Sequence, residues 1–137
     1  MSNEHVRNLT DLDLQVVTAL PAAAANTTSD AIDLEQVVGG EIEHIAFEIA
    51  VPATPALTEA YAITIKVYDG AAANSLAVLD PLIQTTITGA AQAAGGAAKS
   101  IRFRLPPTAR RFIAVNYAVA SGGGNSTAVE ATFRLLA

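Results

Sequence analysis

Apolar residues recur at every second position in stretch after stretch of this chain, and that period restricts the fold more than any other feature. Ile45, Phe47, Ile49 and Val51 share one side of an extended ribbon, with His44, Ala46, Glu48 and Ala50 on the other. The pattern returns at Tyr61, Ile63, Ile65 and Val67, and again at Ile101, Phe103 and Leu105 around Arg102 and Arg104. It returns once more at Ile113, Val115, Tyr117 and Val119, and at Val129, Ala131, Phe133 and Leu135. Successive side chains of a strand point to opposite faces, so this period marks strands buried on one side, as in antiparallel sheets. Weaker runs predict strands over 12–18, 31–38 and 82–88. Turn formers fall between the runs: Pro21, Gly39-Gly40, Asp69-Gly70, Asp80-Pro81, Pro106-Pro107 and Gly122 to Gly124. The alanine-rich stretch 89–98 is interrupted by Gly95 and Gly96 and reads as a loop rather than a helix. The expected fold is all-β, an antiparallel β-sandwich of the jelly-roll type with about eight strands. Residues 11–137 form its single domain, and residues 1–10, polar and unpatterned, form a flexible N-terminal arm.

Composition bears on how such a sandwich meets its surroundings. The chain is 51% apolar but only 5% aromatic and 15% charged, and 29 of its 137 residues are alanine. A soluble domain carries about 25% charged residues, so the pale exterior predicts a surface covered by another protein. Charge is also uneven. Residues 1–59 hold ten acids and one base, and residues 60–137 hold three acids and seven bases, giving −9 and +4. Either the two halves meet across a subunit boundary and fix its orientation, or they mix on one folded surface.

Several classes of function drop out. With no cysteine there is no disulfide, thiolate zinc site or cysteine nucleophile. A net charge of −5 argues against a nucleic-acid coat. No apolar run reaches the roughly 18 residues of a membrane span and no charged-then-apolar leader opens the chain, so neither export nor a membrane is expected. The histidines are His5 and His44; strand spacing puts Glu43 on the opposite face from His44, and Glu48 about 13 Å along the same face. Asp11 and Asp13, Asp30, Asp33 and Glu35, and Glu41 and Glu43 lack a calcium loop and read as a solvated acidic edge. Gly122 to Gly124 lack the lysine and the following helix of a phosphate cradle, and read as a flexible hairpin. No catalytic residue, metal site, cofactor or small-molecule substrate is expected. Arg102, Arg104, Arg110 and Arg111 form the one positive cluster, without the interleaved aromatics of a nucleic-acid groove. They read as contacts to an acidic partner chain or as a solvated strand face.

Two segments carry a family resemblance. One is Leu14-Gln15-Val16-Val17-Thr18, an alanine-rich loop, then Ser29-Asp30-Ala31-Ile32-Asp33-Leu34. The other is Leu105-Pro106, then Arg111-Phe112-Ile113-Ala114-Val115-Asn116-Tyr117-Ala118-Val119, a glycine turn and a last strand from Thr127 to Leu135. In this order they resemble the jelly-roll capsid cement (decoration) proteins of tailed bacteriophages. The resemblance implies a structural homotrimer, made in the bacterial cytoplasm and seated on the outer surface of the head, where it grips the major capsid protein. It brings no catalytic or cofactor residue. The loops 71–75 and 89–98 depart from the pattern. The alternatives are another phage β-sandwich, from the tail or head-completion machinery, and a carbohydrate-binding module. Against the latter, there is no tryptophan, and alternation turns Tyr61 and Tyr117 into the core, leaving Tyr68.

Overall fold

In the computed structural model, which describes residues 15–34, 46–93 and 95–136, the alternating runs become strands. They are β1 (Gln15–Ala19), β2 (Asn26–Thr28), β3 (Ile32–Asp33), β4 (Ala46–Val51), β5 (Ala62–Ala72), β6 (Ser75–Val78), β7 (Gln84–Thr88), β8 (Lys99–Arg104), β9 (Phe112–Val119) and β10 (Glu130–Leu136). Sheet one runs β1-β10-β4-β8. Sheet two runs from β2 through β9 and β5 to β6, with β3 also on β9 and β7 also on β5. Every strand pairing is antiparallel.

The ten segments occupy eight strand positions. β2 and β3 lie end to end along β9, and β6 and β7 lie end to end along β5. Numbered by position, sheet one reads 1-8-3-6 and sheet two 2-7-4-5, the double Greek key of a jelly roll. The break between β2 and β3 falls at Ser29, whose backbone N–H donates to Val115 O while its hydroxyl accepts from Val115 N–H. One side chain thus keeps the ladder satisfied where the strand is interrupted.

Inward-facing residues of both sheets make one core. Phe47, Ile49, Val51, Ala131, Phe133 and Leu135 come from sheet one, and Ile63, Ile65, Val67, Ile87, Ile113, Val115, Tyr117 and Val119 from sheet two. The Phe47 ring stacks on Phe103 at 5.7 Å and on Phe133 at 5.5 Å. Tyr117 is fully enclosed, as its alternation predicts, but its hydroxyl has no hydrogen-bond partner, and burial raises its pKa. An unpaired buried hydroxyl costs about 1–3 kcal/mol. Tyr117→Phe is therefore expected to raise stability by about 1 kcal/mol or more, read as a higher urea midpoint at unchanged slope. A lower midpoint would mean that the hydroxyl is satisfied.

Several sequence expectations need correction. Tyr61 is not in the core: it is 42% exposed. Ala60 takes a positive φ and the Tyr61 N–H closes a turn onto Thr58 O, so alternation starts only at Ala62. Asp69-Gly70 is not a turn, because β5 runs on to Ala72 and folds back as β6. A Cβ on Gly70 would lie 2.1 Å from Ser75 O, so glycine lets β6 approach. Gly122 to Gly124 join strands of different sheets rather than a hairpin. Gly124 has φ +84°, and a Cβ there would lie 2.4 Å from Ala56 O. The turn is packed against the β4–β5 loop. The polar β2 and the short, Ala-flanked β6 lie outside the strands expected from alternation. The arm over 1–10, and His5, His44 and the acids at 11, 13, 35, 41 and 43, lie outside the described residues.

Candidate partner-binding surfaces

The structure separates the four arginines. Arg102 lies on the outer face of β8, directly across from Glu48 on β4, which is across from Arg134 on β10. Glu48 is only 6% exposed. It accepts from Arg134 Nε at 2.9 Å and from Arg134 Nη2, from the Ser100 hydroxyl at 3.0 Å, and from Arg102 Nε at 3.4 Å. The Arg134 hydrogen bond, then that of Ser100, holds its carboxyl below the ordinary range against the opposing effect of burial. Arg104, exposed two residues along β8, stands opposite Ala46 and has no ion pair among the described residues.

Arg110 and Arg111 point to different acids. Arg110 clamps the buried Asp69 through Nη2, Nε and its own backbone N–H, at 3.0, 3.2 and 3.0 Å. Arg111 makes a two-pronged pair with Asp33, both contacts at 2.8 Å, and its guanidinium lies 4.8 Å from the Phe112 ring centre. The acid-rich and base-rich halves thus meet within one chain at Glu48 and Asp33. Asp33, grouped with Asp30 and Glu35 in the sequence, spends both carboxylate oxygens on an arginine. The register explains why sequence could not foresee this: Arg111 and Asp33 are 78 residues apart and meet only because β3 lies on β9.

A different surface stands out at the end of the sandwich where four loops gather. They are residues 20–25, 52–61, 89–98 and 120–129. Backbone bridges join Ala22 to Asn125, Thr54 to Gly96 and Glu59 to Gly89, and Thr58 N–H donates to Gly123 O. Exposed alanines pave each loop: Ala22, Ala24 and Ala25; Ala53, Ala56 and Ala60; Ala90, Ala91, Ala97 and Ala98; Ala120 and Ala128. Glu59 is the one charged residue in all four loops. Tyr61, packed beside Gly122, adds an exposed ring. Alternation identifies strands but says nothing of which loops converge, so this neutral end was hidden in the composition. A shallow depression of about 350 Å³ lies beside it on the outer face of sheet one, lined by Ala50, Val51, Pro52, Ala98, Lys99, Ser100 and Thr132.

The outer face of sheet two is also weakly charged. Lys66 lies in a row with Gln84, Asn116 and Thr28, and the Asn116 amide donates to Asn26 Oδ1 at 3.2 Å and to Thr28 Oγ1 at 2.9 Å. Among the described residues no group of three or more His, Cys, Asp or Glu is placed to hold a metal ion, and no helix is long and apolar enough to cross a membrane. No protein-family model matches the chain, and no curated protein matches it in sequence.

Proposed function

We propose that this protein is a structural component of a tailed-bacteriophage particle, a cement protein that sits as a homotrimer on the outer surface of the head and presses its alanine-paved end onto the major capsid protein. The observation that carries this reading is the neutrality of that end: four loops, bridged through their backbones, expose small side chains and a single carboxylate. Docking there desolvates almost no charge and orders few long side chains, which are the principal costs of association. Bridged loops are also preorganised, as a permanent clamp requires. Each contact can be weak, because linked copies gain from effective concentration on a repeating lattice.

The test is co-sedimentation of the purified protein with expanded phage heads stripped of decoration. Saturable binding is expected, with heads that resist heating better once coated. Ala53→Glu with Ala97→Glu should abolish binding without changing the folded spectrum, because both side chains are exposed. Absence of binding to any such head, or binding indifferent to the two glutamates, would overturn the proposal.

A further inference from the structure

The outer face of sheet one gathers positive charge on a chain whose net charge is −5. The strand register sets Arg134, Glu48 and Arg102 side by side in one row and Arg104 in the next. Three guanidiniums against one carboxylate leave that area with a net +2. Glu130, the remaining acid of this face among the described residues, lies four residues from Arg134 along β10, about 13 Å away. Glu48 itself is nearly buried and already accepts from Arg134, Ser100 and Arg102, so it fixes its neighbours and presents nothing to a partner. Arg102 touches it through Nε alone, at 3.4 Å, and the Arg102 side chain stays 72% exposed. Arg104 is exposed and has no ion pair among the described residues. Both arginines therefore keep the forked N–H donors that match a carboxylate.

In the other direction along β8 the charge gives way to the shallow depression at Ala98, Ser100, Ala50 and Thr132. Along this strand the outer face thus offers a mainly apolar hollow, a guanidinium and a second guanidinium, at two-residue steps of about 7 Å. We propose that this face binds an extended acidic segment of a partner protein, one with an apolar residue and two acids at alternate positions. Charge complementarity and spacing select that occupant together. An extended chain repeats its side chains at the same step of about 7 Å, so an apolar residue seated in the hollow brings its acids onto Arg102 and Arg104. A nucleic acid fits the face less well. It would stack on aromatic side chains, and the phenylalanine of β8, Phe103, packs inward on Phe47 and Phe133. The inference concerns a surface other than the alanine-paved end and stands whether or not that end docks on a phage head.

The experiment is fluorescence anisotropy of the labelled peptide Glu-Ser-Glu-Ser-Leu-Ser-Glu-Ser-Glu, which reads the same in both directions, titrated with the full chain. Saturable binding is expected, weakening as salt is raised. Replacing the peptide's leucine with serine should weaken it about three-fold or more, and replacing its glutamates with glutamine should abolish it. Arg104→Glu should weaken binding about ten-fold or more. The same variant should prefer a peptide whose two terminal glutamates are lysine, a reversal that an unfolded protein would not show. Failure of the wild type to bind, binding unchanged by Arg104→Glu, or no reversal with the lysine peptide overturns the inference. So does equal binding of an oligodeoxynucleotide of the same charge, or a wild-type self-association that Arg104→Glu dissolves, since a nucleic acid or a second copy would then be the occupant. Head binding is measured separately: a protein that takes the peptide but ignores heads ends the proposed function and leaves this site standing.

Discussion

Replacing Phe47 with alanine is expected to remove about 3–5 kcal/mol of stability, the range for deleting a buried phenylalanine. The ring is fully buried on β4, opposite Phe103 on β8 and against Phe133 on β10. It therefore ties three of the four strands of sheet one together from the core side. Aromatic pairs contribute about 0.5–1.5 kcal/mol each beyond their buried area, and Phe47→Ala loses two of them. Against the total of about 5–15 kcal/mol typical of a domain, this is a large fraction, visible as a fall in melting temperature on the order of 10 °C or more. Phe47→Leu retains much of the volume but gives up both ring pairs, and should cost about 1–3 kcal/mol. Equal losses for the two substitutions would mean that the ring contacts account for the whole cost and the buried volume for none of it.

That prediction was half legible in the amino-acid order. Phe47, Ile49 and Val51 alternate cleanly because one face of β4 meets the core, and Ile63 to Val67 and Ile113 to Val119 do so for the same reason. What alternation cannot encode is register between distant strands. The three phenylalanines stack because β8, β4 and β10 are neighbours, a relation that spans 86 residues between Phe47 and Phe133. Arg102 and Arg134 flank Glu48 by the same long-range pairing. Tyr61 misled because a turn through Ala60 delays the extended geometry until Ala62, so Tyr61 precedes the strand whose parity it shares. Asp69 misled in the opposite sense. Asp followed by Gly is a turn signal, yet Asp69 continues the inward parity of Ile63, Ile65 and Val67.

The neutral loop end and the arginine pairs bear differently on partner contacts. A guanidinium already held by its own chain's carboxylate has less to offer a partner, so Arg110 and Arg111 act first as struts of the β8–β9 connection. Arg104 remains available, at the edge of sheet one. Among the described residues the surface thus has an end with one charge and a sheet edge that carries Lys99, Arg102 and Arg104. Loops tied to each other through backbone bridges hold the first in shape, while the register of β8 on β4 sets the second.

The Asp69–Arg110 clamp should respond asymmetrically to mutation. The Asp69 side chain is 6% exposed and that of Arg110 49%, so their unpaired forms differ in access to water. Arg110→Ala strands a buried carboxylate and is expected to lower the urea midpoint at neutral pH by the larger amount. Asp69→Ala leaves a guanidinium that water can reach and is expected to lower it less. Acidity distinguishes this explanation from simple loss of packing. Burial acts to raise the Asp69 pKa, but the hydrogen bonds and charge of Arg110 outweigh it, so the native carboxyl lies below its ordinary value. In wild type the unfolded chain therefore binds the proton more readily. The clamp's contribution is complete above about pH 4 and is lost as pH falls through the lower native pKa. Arg110→Ala removes the guanidinium's hydrogen bonds and charge and leaves burial opposed only by backbone N–H donors, so the native pKa of Asp69 rises above its wild-type position. The variant then gives up less stability than wild type as the carboxyl takes up its proton. Urea midpoints of the two proteins should therefore converge as pH falls from 7 to below about 4, with Glu48 contributing equally to each. A gap between wild type and Arg110→Ala that stays constant with pH would mean that Asp69 is not stranded as a charge.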